Sequence, residues 1–380
     1  MDTPTSHDPD TLRALLALVL AGGPQAARRH LLEQHGDPRT ALRAGPAAWT
    51  RAGCGSEQIA RLRRPDAAAI DAILAWRDGG RRHIIGLHDP DYPALLRRIA
   101  NPPLVLFVEG DPALLWHPAI AVVGSRTPSA GGREHARRFS HALCRAGLAV
   151  TSGMAAGIDA AAHNTALDMH GITVAVLGTG PDVAYPEHHR DLRERIAAHG
   201  ALVSEHPPGT GPRAAHFPAR NRIIAGLALG TLVVEAAHRS GALITARLAS
   251  EAGREVFAIS GSIHNPMARG CHRLIRDGAT LVEQPGEVLD GVAALSAELA
   301  SALRERLDEA EPPPASAATT PTCPDPHYQK LWTALGHDPT PMDSLVERTG
   351  LTAAALSSML LLMELEGRVV VEHGRYMRHS

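Results

Sequence analysis

Glycine-bearing turns follow several short apolar runs of the sequence, and turns of this kind can hold phosphate groups. The first begins at Gly124, the second runs from Ser152 to Asp159, and a later predicted helix opens with Arg239-Ser240-Gly241-Ala242. Glycine lets backbone N–H groups approach an anion closely, and a following helix adds the positive end of its dipole. If the apolar runs are parallel strands, these turns meet at one edge of a sheet and line an anion-binding groove. The candidate residues are Gly124, Ser125, Arg126, Ser152, Gly153, Gly157, Ser240 and Gly241.

A second candidate segment, Phe217-Pro218-Ala219-Arg220-Asn221-Arg222, places an aromatic ring beside two cations. The chain has only four phenylalanines, so a Phe in what reads as a polar loop before a helix stands out. Proteins that bind single-stranded nucleic acid use rings to stack bases and arginines to hold phosphates. The alternative from the pattern alone is that Phe217 fills the core while Arg220 and Arg222 lie on a solvated face.

The sequence patterns of common catalytic centres are missing. There is no HExxH, no GxSxG and no Cys/His cluster with metal-ligand spacing. Lys330 is the only lysine, which argues against a Walker-type NTPase or a Schiff-base enzyme. The turn GSRTPS lacks the later glycines of a dinucleotide-binding motif. Asp159 and Glu235 follow strands and could be catalytic carboxylates, although such residues more often cap helices or hold an arginine. We therefore expect no catalysis, cofactor or metal.

Composition limits the class of protein further. The formal net charge is −2 and the pI is about 6.9, so a nucleic-acid surface must be local rather than global. The chain shows neither a leader pattern nor an apolar stretch long enough to cross a bilayer, and we expect a cytoplasmic protein. The cysteines are predicted to be reduced, because they lie far apart and form no CxxC pair. They are Cys54, Cys144, Cys271 and Cys323.

The order of the elements predicts an α/β fold with two smaller domains. Residues 1–80 read as short helices of a SAM-like or helix-hairpin-helix-like module. In residues 81–285, continuous Val/Ile/Leu runs alternate with helix-length segments, which indicates a Rossmann-like, doubly wound, mostly parallel sheet. An acidic helix and a Pro-rich linker are expected in 286–326, and a winged helix in 327–380. The candidate recognition helix, 352–366, has no Arg or Lys, which favours a protein contact over DNA.

Several sequence blocks resemble the DNA-processing protein A family (DprA, also called Smf). They lie in order between about Tyr92 and Val282 and read VVGSRTPSAGG, VTSGMAAGIDAAAH, AVLGTGPDVAYPEHH, FPARNRIIAGLA and VVEAAHRSGALITARLA. The chain departs from the family pattern in having Ser260-Gly261 where Pro-Gly is usual, and His272 where Asn is usual. Neither departure removes a charge from the predicted groove.

The resemblance implies a non-catalytic recombination mediator that binds single-stranded DNA during natural transformation or recombinational repair. It further implies a homodimer formed through the Rossmann domain, which helps to load the RecA recombinase, also onto strands coated by single-strand binding protein. By the same resemblance Arg126 should grip a phosphate, Phe217 should stack a base, and Arg220 and Arg222 should steady the loop or neighbouring phosphates.

Two other functions remain open from the sequence. Related Rossmann proteins cleave the N-glycosidic bond of nucleotides with the glutamate of a PGGxGTxxE motif. Here Glu235 follows a strand, but no PGGxGT precedes it. A scaffold for competence proteins is the other alternative, and it predicts no affinity for DNA.

Overall fold

The computed structural model describes residues 8–310, 326–335, 340–352, 356, 359–360, 363, 369–372 and 375–378. The chain divides into two compact units, Met1–Glu305 and Arg306–Ser380. None of the described helices combines the length and the apolar character that spanning a membrane requires.

The first unit begins with six short helices whose starts are fixed by local capping. The carboxylates of Asp8, Asp37 and Asp66 accept the backbone N–H groups of residues three positions later at 2.8–3.1 Å, which satisfies donors left open at a helix N-terminus. The helices are α1 Pro9–Leu20, α2 Gln25–His35, α3 Pro38–Arg43, α4 Gly45–Arg51, α5 Ser56–Arg63 and α6 Ala67–Arg77.

The glycine turn between α1 and α2 is packed against α5. The Gln58 side-chain amide donates to the carbonyl oxygen of Gly22 at 2.7 Å, and Arg61 donates to that of Ala21 at 3.3 Å. The turn therefore supports the packing of the module.

The helical module shares its hydrophobic core with the sheet that follows it. Leu16 and Leu31 of the module are fully buried in the same cluster as Phe107 and Val203 of the sheet. The rings of Trp76 and Phe107 meet edge to face, with centroids 6.3 Å apart. Burial of apolar surface across this boundary joins both parts into one unit.

A nine-stranded sheet forms the centre of the first unit. Its strand order is β1-β2-β6-β5-β4-β3-β7-β8-β9. The β1–β2 and β2–β6 pairs are antiparallel, and every other pair is parallel. The strands are β1 Arg82–Gly86, β2 Val105–Gly110, β3 Ala119–Val123, β4 Ala149–Ser152, β5 Thr173–Val176, β6 Ala201–Ser204, β7 Gly230–Val233, β8 Glu255–Ile259 and β9 Thr280–Val282.

Helices connect the parallel strands and cover both faces of the sheet. The α-helices are α7 Ala94–Arg97, α8 Ala130–Arg145, α9 Ile158–Asp168, α10 Arg190–His199, α11 His216–Leu227, α12 Gly241–Glu251, α13 Arg269–Arg276 and α14 Pro285–Ala310. Short 3₁₀ turns cover Pro112–Trp116, Glu187–His189 and Pro266–Ala268. The predicted doubly wound, mostly parallel fold is confirmed. Strand order reverses at β3, which lies between β4 and β7, and this switch point is where such sheets bind ligands.

The two positions that depart from the family pattern are neighbours in the structure. The Nε2 atom of His272, on α13, lies 3.0 Å from the carbonyl oxygen of Gly261. The loop after β8 and the start of α13 are thus joined through a side chain.

The second unit contains α15 Pro326–Ala334, α16 Met342–Thr349 and a three-stranded antiparallel sheet ordered β10-β12-β11. The strands are β10 Thr340–Pro341, β11 Val369–Glu372 and β12 Arg375–Arg378. Leu331, Leu335, Leu345 and Leu360 are buried in its own core. The Pro-rich part of the predicted 286–326 segment falls almost entirely in residues 311–325, which lie outside the described residues, as does most of the candidate recognition helix, 352–366.

Candidate functional site

A cleft of about 730 Å³ opens at the carboxyl ends of β3 and β7. The glycine turns meet there because parallel strands bring their carboxyl ends to one edge. The cleft brings together seven of the predicted residues: Gly124, Ser125, Arg126, Phe217, Arg220, Ser240 and Gly241. The other four, Ser152, Gly153, Gly157 and Arg222, lie outside its lining.

The turn after β3 is fixed by contacts with neighbouring segments of the chain, and its Arg126 side chain lines the cleft. The backbone N–H of Ser125 donates to the carbonyl oxygen of Glu235 at 2.7 Å, so the fold itself uses this donor. Gly157 packs against the turn at a φ of +87°, and a Cβ there would lie 2.3 Å from the carbonyl oxygen of Ser125. Only glycine fits this close approach. Arg126 is exposed, and no carboxylate of the described residues pairs with it.

The turn after β4 forms the floor of the site. The Ser152 hydroxyl is fully buried and donates to the carbonyl oxygen of Val122 at 2.6 Å. The Gly153 N–H donates to the Asp159 carboxylate at 3.1 Å, and the Gly153 carbonyl accepts from Arg220 at 2.9 Å. These backbone groups are therefore satisfied within the protein.

Arg220 joins the turn after β4 to the end of β5. Its side chain is 5% exposed and donates to the carbonyl oxygens of Gly153 and Val176. Burial lowers the pKa of Arg220 to about 10, with the Asp159 carboxylate opposing that shift. The guanidinium stays charged at neutral pH and joins the ends of β4 and β5.

The prediction that residues 217–222 form a loop before the helix is wrong, because helix α11 already begins at His216. Pro218 lies in the first turn, where a missing N–H costs no helical hydrogen bond. The helical period then decides where the side chains point. Arg220 lies three residues after Phe217 and on the same side, whereas Arg222 is turned by about 200° from Arg220.

Arg222 consequently packs on the opposite side of α11. It forms a two-point ion pair with Glu205, both N–O distances being 2.6 Å, and donates to the carbonyl oxygen of Asn101 at 2.8 Å. It also donates to the Gln25 side chain of the helical module at 3.3 Å. The structure thus places Arg222 in a contact between α11 and the module.

A pair of stacked histidines secures the start of α11. The rings of His206 and His216 lie 3.8 Å apart and nearly parallel. Nδ1 of His216 is 3.1 Å from the carbonyl oxygen of Gly178. Burial lowers the pKa of His206 to about 4, opposed by Glu205, so this ring is neutral at pH 7.

Phe217 lines the cleft together with a second ring that the sequence analysis did not identify. Its centroid lies 4.9 Å from that of Tyr185, with the ring planes 36° apart, and Tyr185 is 41% exposed. A Cβ at Gly178 would lie 2.9 Å from Phe217, so glycine leaves the space for the ring. The two rings offer an apolar surface at the mouth of the cleft.

Arg239 is the second cleft residue that was absent from the predicted site residues. It follows β7, is exposed, and has no ion-pair partner among the residues that the structure describes. It directly precedes Ser240, the N-cap of α12, whose hydroxyl accepts the N–H of Ala242 at 3.3 Å. The position of Arg239 directly before the predicted site residue Ser240 is the sequence feature that could have identified it. Arg126, Arg220 and Arg239 give the cleft lining three cations, against the buried carboxylate of Asp159.

Glu235 supports the fold and is not among the residues that line the cleft. Its carboxylate accepts the backbone N–H and the hydroxyl of Ser129 at 2.9 and 2.6 Å, and the Asn265 amide at 3.1 Å. Ser129 is the N-cap of α8. Within the described residues, no group of three His, Cys, Asp or Glu side chains could hold a metal ion.

These features define a Rossmann-like protein whose switch-point cleft, with its arginines and its Tyr185–Phe217 ring pair, suits a phosphate-bearing ligand that contains bases. Residues 83–293 match the family model for DNA recombination-mediator protein A, and residues 310–375 match the DprA winged helix domain. The chain belongs to the DNA recombination-mediator protein A family, which confirms the resemblance seen in the sequence, and the winged-helix prediction is confirmed with it.

Relatives and solved structures agree with this assignment. The chain is 39% identical to Protein Smf of Escherichia coli over 313 residues, which cover 82% of this chain and 81% of that protein. It is 47% identical to DNA processing protein DprA of Streptococcus pneumoniae over 201 residues, covering 53% of this chain and 71% of that protein. The X-ray structure of the Streptococcus pneumoniae protein superposes with a TM-score of 0.67 at 37% identity, over 73% of this chain and 97% of that chain.

Proposed function

We propose that this chain binds single-stranded DNA in the cleft, without sequence preference, and acts as a recombination mediator. The observation that carries the proposal is that one cleft holds both the Tyr185–Phe217 rings and the cations Arg126 and Arg239, which have no ion-pair partner among the described residues. Every base has a π-face that can stack on such rings, and every nucleotide has a phosphate that arginine can grip. Bases in a duplex are already paired and stacked, so single strands should bind more tightly.

The cleft residues divide into ligand contacts and supports. Arg126, Arg239 and the N-terminus of α12 at Ser240 and Gly241 would contact phosphates, because a helix N-terminus attracts anions. Phe217 and Tyr185 would stack bases. The remaining predicted residues support the site: Gly124, Ser125, Ser152, Gly153, Gly157 and Arg220 hold its turns and floor, and Arg222 holds α11.

As a mediator, the protein would work in the cytoplasm on incoming or damaged DNA. It would help to load the RecA recombinase onto single strands, including strands coated by single-strand binding protein. Membership of the DNA recombination-mediator protein A family supports this role. The position of Glu235 does not support the rival nucleotide N-glycosidase, because its carboxylate is bonded to Ser129 at the start of α8 and the residue is not among those that line the cleft. Incubation with nucleoside monophosphates tests it, because release of free base that Glu235→Gln abolishes would contradict a non-catalytic mediator.

We also propose that the protein forms a homodimer through the Rossmann-like domain. Strand β9 lies at the end of the sheet and pairs with β8 on one side. Its Leu281 side chain is 43% exposed. An exposed apolar side chain on an edge strand favours association with a second copy. Light scattering on the parent should give the dimer mass, and Leu281→Glu should lower it to the monomer. A monomeric parent would contradict the dimer.

The first experiment is a titration of labelled single-stranded and duplex oligonucleotides, followed by fluorescence anisotropy over a range of salt concentrations. We expect tight binding to single strands, weaker binding to duplex, and affinity that falls steeply with salt because phosphate contacts release counterions. Absence of binding at low salt would contradict the proposal and favour a scaffold role. If binding is found, RecA filament formation on coated strands should be measured with and without the protein.

A further inference from the structure

Helix α8 exposes an arginine-rich face that the cleft does not use. The opposite face is buried in the sheet core, through Ala136, Phe139 and Leu143. At 100° per residue the exposed arginines fall within an arc of about 140°, and they extend about 18 Å along the helix axis. They are Arg133, Arg137, Arg138 and Arg145.

The positive charge on this face is left largely uncompensated. Glu134 is the one acid in α8, and it lies 3.5 Å from Arg137. Some exposed arginines on other helices have an acid one turn away, as in the Arg247–Glu251 and Arg273–Asp277 pairs, whereas Arg51 is the single charged residue of α4. Arg133 and Arg138 have no ion pair with any residue in the part of the chain that the structure describes. In a chain of net charge −2, this is a local excess of positive charge.

Helix stability does not account for Arg133. The residue lies in the first turn of α8, where the partial positive charge of the helix end favours acidic side chains and disfavours cations. Arg145 lies in the last turn, where the partial negative charge of the helix end favours a cation. The helix dipole therefore explains Arg145 but not Arg133, and Arg138 lies mid-helix without an ion pair among the described residues.

The basic face begins where the cleft ends. The turn that carries Arg126 and Thr127 lines the cleft, and α8 starts three residues later, after its N-cap Ser129. Arg133 is one helical turn further along. The arginine-rich face of α8 thus begins seven residues after Arg126 in the chain, and guanidinium forks bind phosphate oxygens in two-point contacts.

We propose that Arg133, Arg137 and Arg138 form a second binding surface, which holds the sugar-phosphate backbone of a single strand outside the cleft. This inference rests on the proposed function, because the strand must first occupy the cleft. The three arginines offer positive charge and no aromatic ring for base stacking, so this surface contacts phosphates and adds affinity through charge. Its effect must then depend on the length of the strand.

The test compares two lengths of oligothymidylate, of about six and about twenty nucleotides, on the parent and on an Arg133→Gln/Arg137→Gln/Arg138→Gln variant. We expect the short strand to bind both proteins equally. The long strand should bind the variant about tenfold more weakly at low salt, and the slope of log K against log salt should fall by about 2, since each single-strand phosphate contact contributes about 0.7.

The matched control removes three exposed arginines from the helical module, through Arg51→Gln/Arg63→Gln/Arg64→Gln. It should leave both lengths unaffected, while circular dichroism checks that both variants are folded. Equal binding of the long strand by the parent and the α8 variant would overturn the inference and favour an acidic protein as the partner of this face. An equal loss with both lengths, or with the control variant, would also overturn it. Failure of the parent to bind either strand would instead contradict the proposed function.

Discussion

Arg222 and Glu205 form a two-point ion pair in which each guanidinium nitrogen lies 2.6 Å from a carboxylate oxygen. The side chains are only 12% and 14% exposed. The pair joins α11, whose first turn carries Phe217, to the end of β6, and Arg222 reaches the helical module through Gln25. The position of the ring at the cleft thus depends on an ion pair on the other side of the same helix.

Removing one partner of this pair should be costly. Arg222→Gln leaves the Glu205 carboxylate largely buried without its cation, and we expect the free energy of unfolding to fall by about 3 kcal/mol. Urea denaturation measures the change. The control is Arg190→Gln, which breaks an exposed pair with Glu187 at 3.4 Å and should cost less than about 1 kcal/mol. Equal losses in the two variants would contradict the structural role of the Arg222 pair.

His163 should make the fold sensitive to acid. Burial lowers its pKa to about 3, helped by the charges of Arg220 and His189, and its Nδ1 lies 2.7 Å from the Thr173 hydroxyl. The unfolded chain has the ordinary pKa near 6.5 and binds the proton first, so stability falls as pH drops from 6.5 toward 3. By pH 4.5 the loss of stability from this residue should be about 3 kcal/mol. Urea midpoints from pH 7.5 to 4.5 should decline less for His163→Gln than for the parent. The exposed His141→Gln variant should decline as the parent does, and an unchanged decline in His163→Gln would contradict the prediction.

The ring pair should contribute affinity without changing the salt dependence. We expect Phe217→Ala to weaken the binding of single strands by ~1–3 kcal/mol, because a stacking surface is lost while no phosphate contact changes. Phe217→Trp should retain most of the affinity. A double-mutant cycle with Tyr185→Ala should show coupling, since the rings touch with centroids 4.9 Å apart. Parent-like binding by Phe217→Ala would exclude stacking at this position.

The two cleft arginines that lack an ion pair within the described part of the chain should instead contribute to the salt dependence of binding. Arg126→Ala and Arg239→Ala should each lower affinity and reduce the slope of log K against log salt by about 0.7, the value for one phosphate contact. Their melting temperatures should match the parent, because both side chains are exposed. Arg220→Ala serves as the contrast, since it removes a buried side chain that bonds two backbone carbonyls and should lower the melting temperature. A slope unchanged in both exposed variants would place the phosphates elsewhere.

The sequence by itself was sufficient to predict the alternation of strands and helices and the sheet edge at which the glycine turns meet. Apolar runs and glycines are local signals, and parallel topology carries the carboxyl ends of strands to one edge whatever the details of packing. It was also sufficient for the family, because the motif blocks are contiguous in the chain.

Tertiary structure decided which side chains face the cleft. Helix α11 begins at His216, whose ring stacks on that of His206. It therefore includes Arg220 and Arg222, which a helix places about 200° apart. The Tyr185 ring contacts Phe217 from a loop that is distant in the chain. The Ser125 N–H donates to the carbonyl oxygen of Glu235, 110 positions along the chain. These contacts join residues far apart in sequence, so neither residue type nor spacing encodes them. Only the packing of the complete sheet and its helices brings these groups within bonding distance.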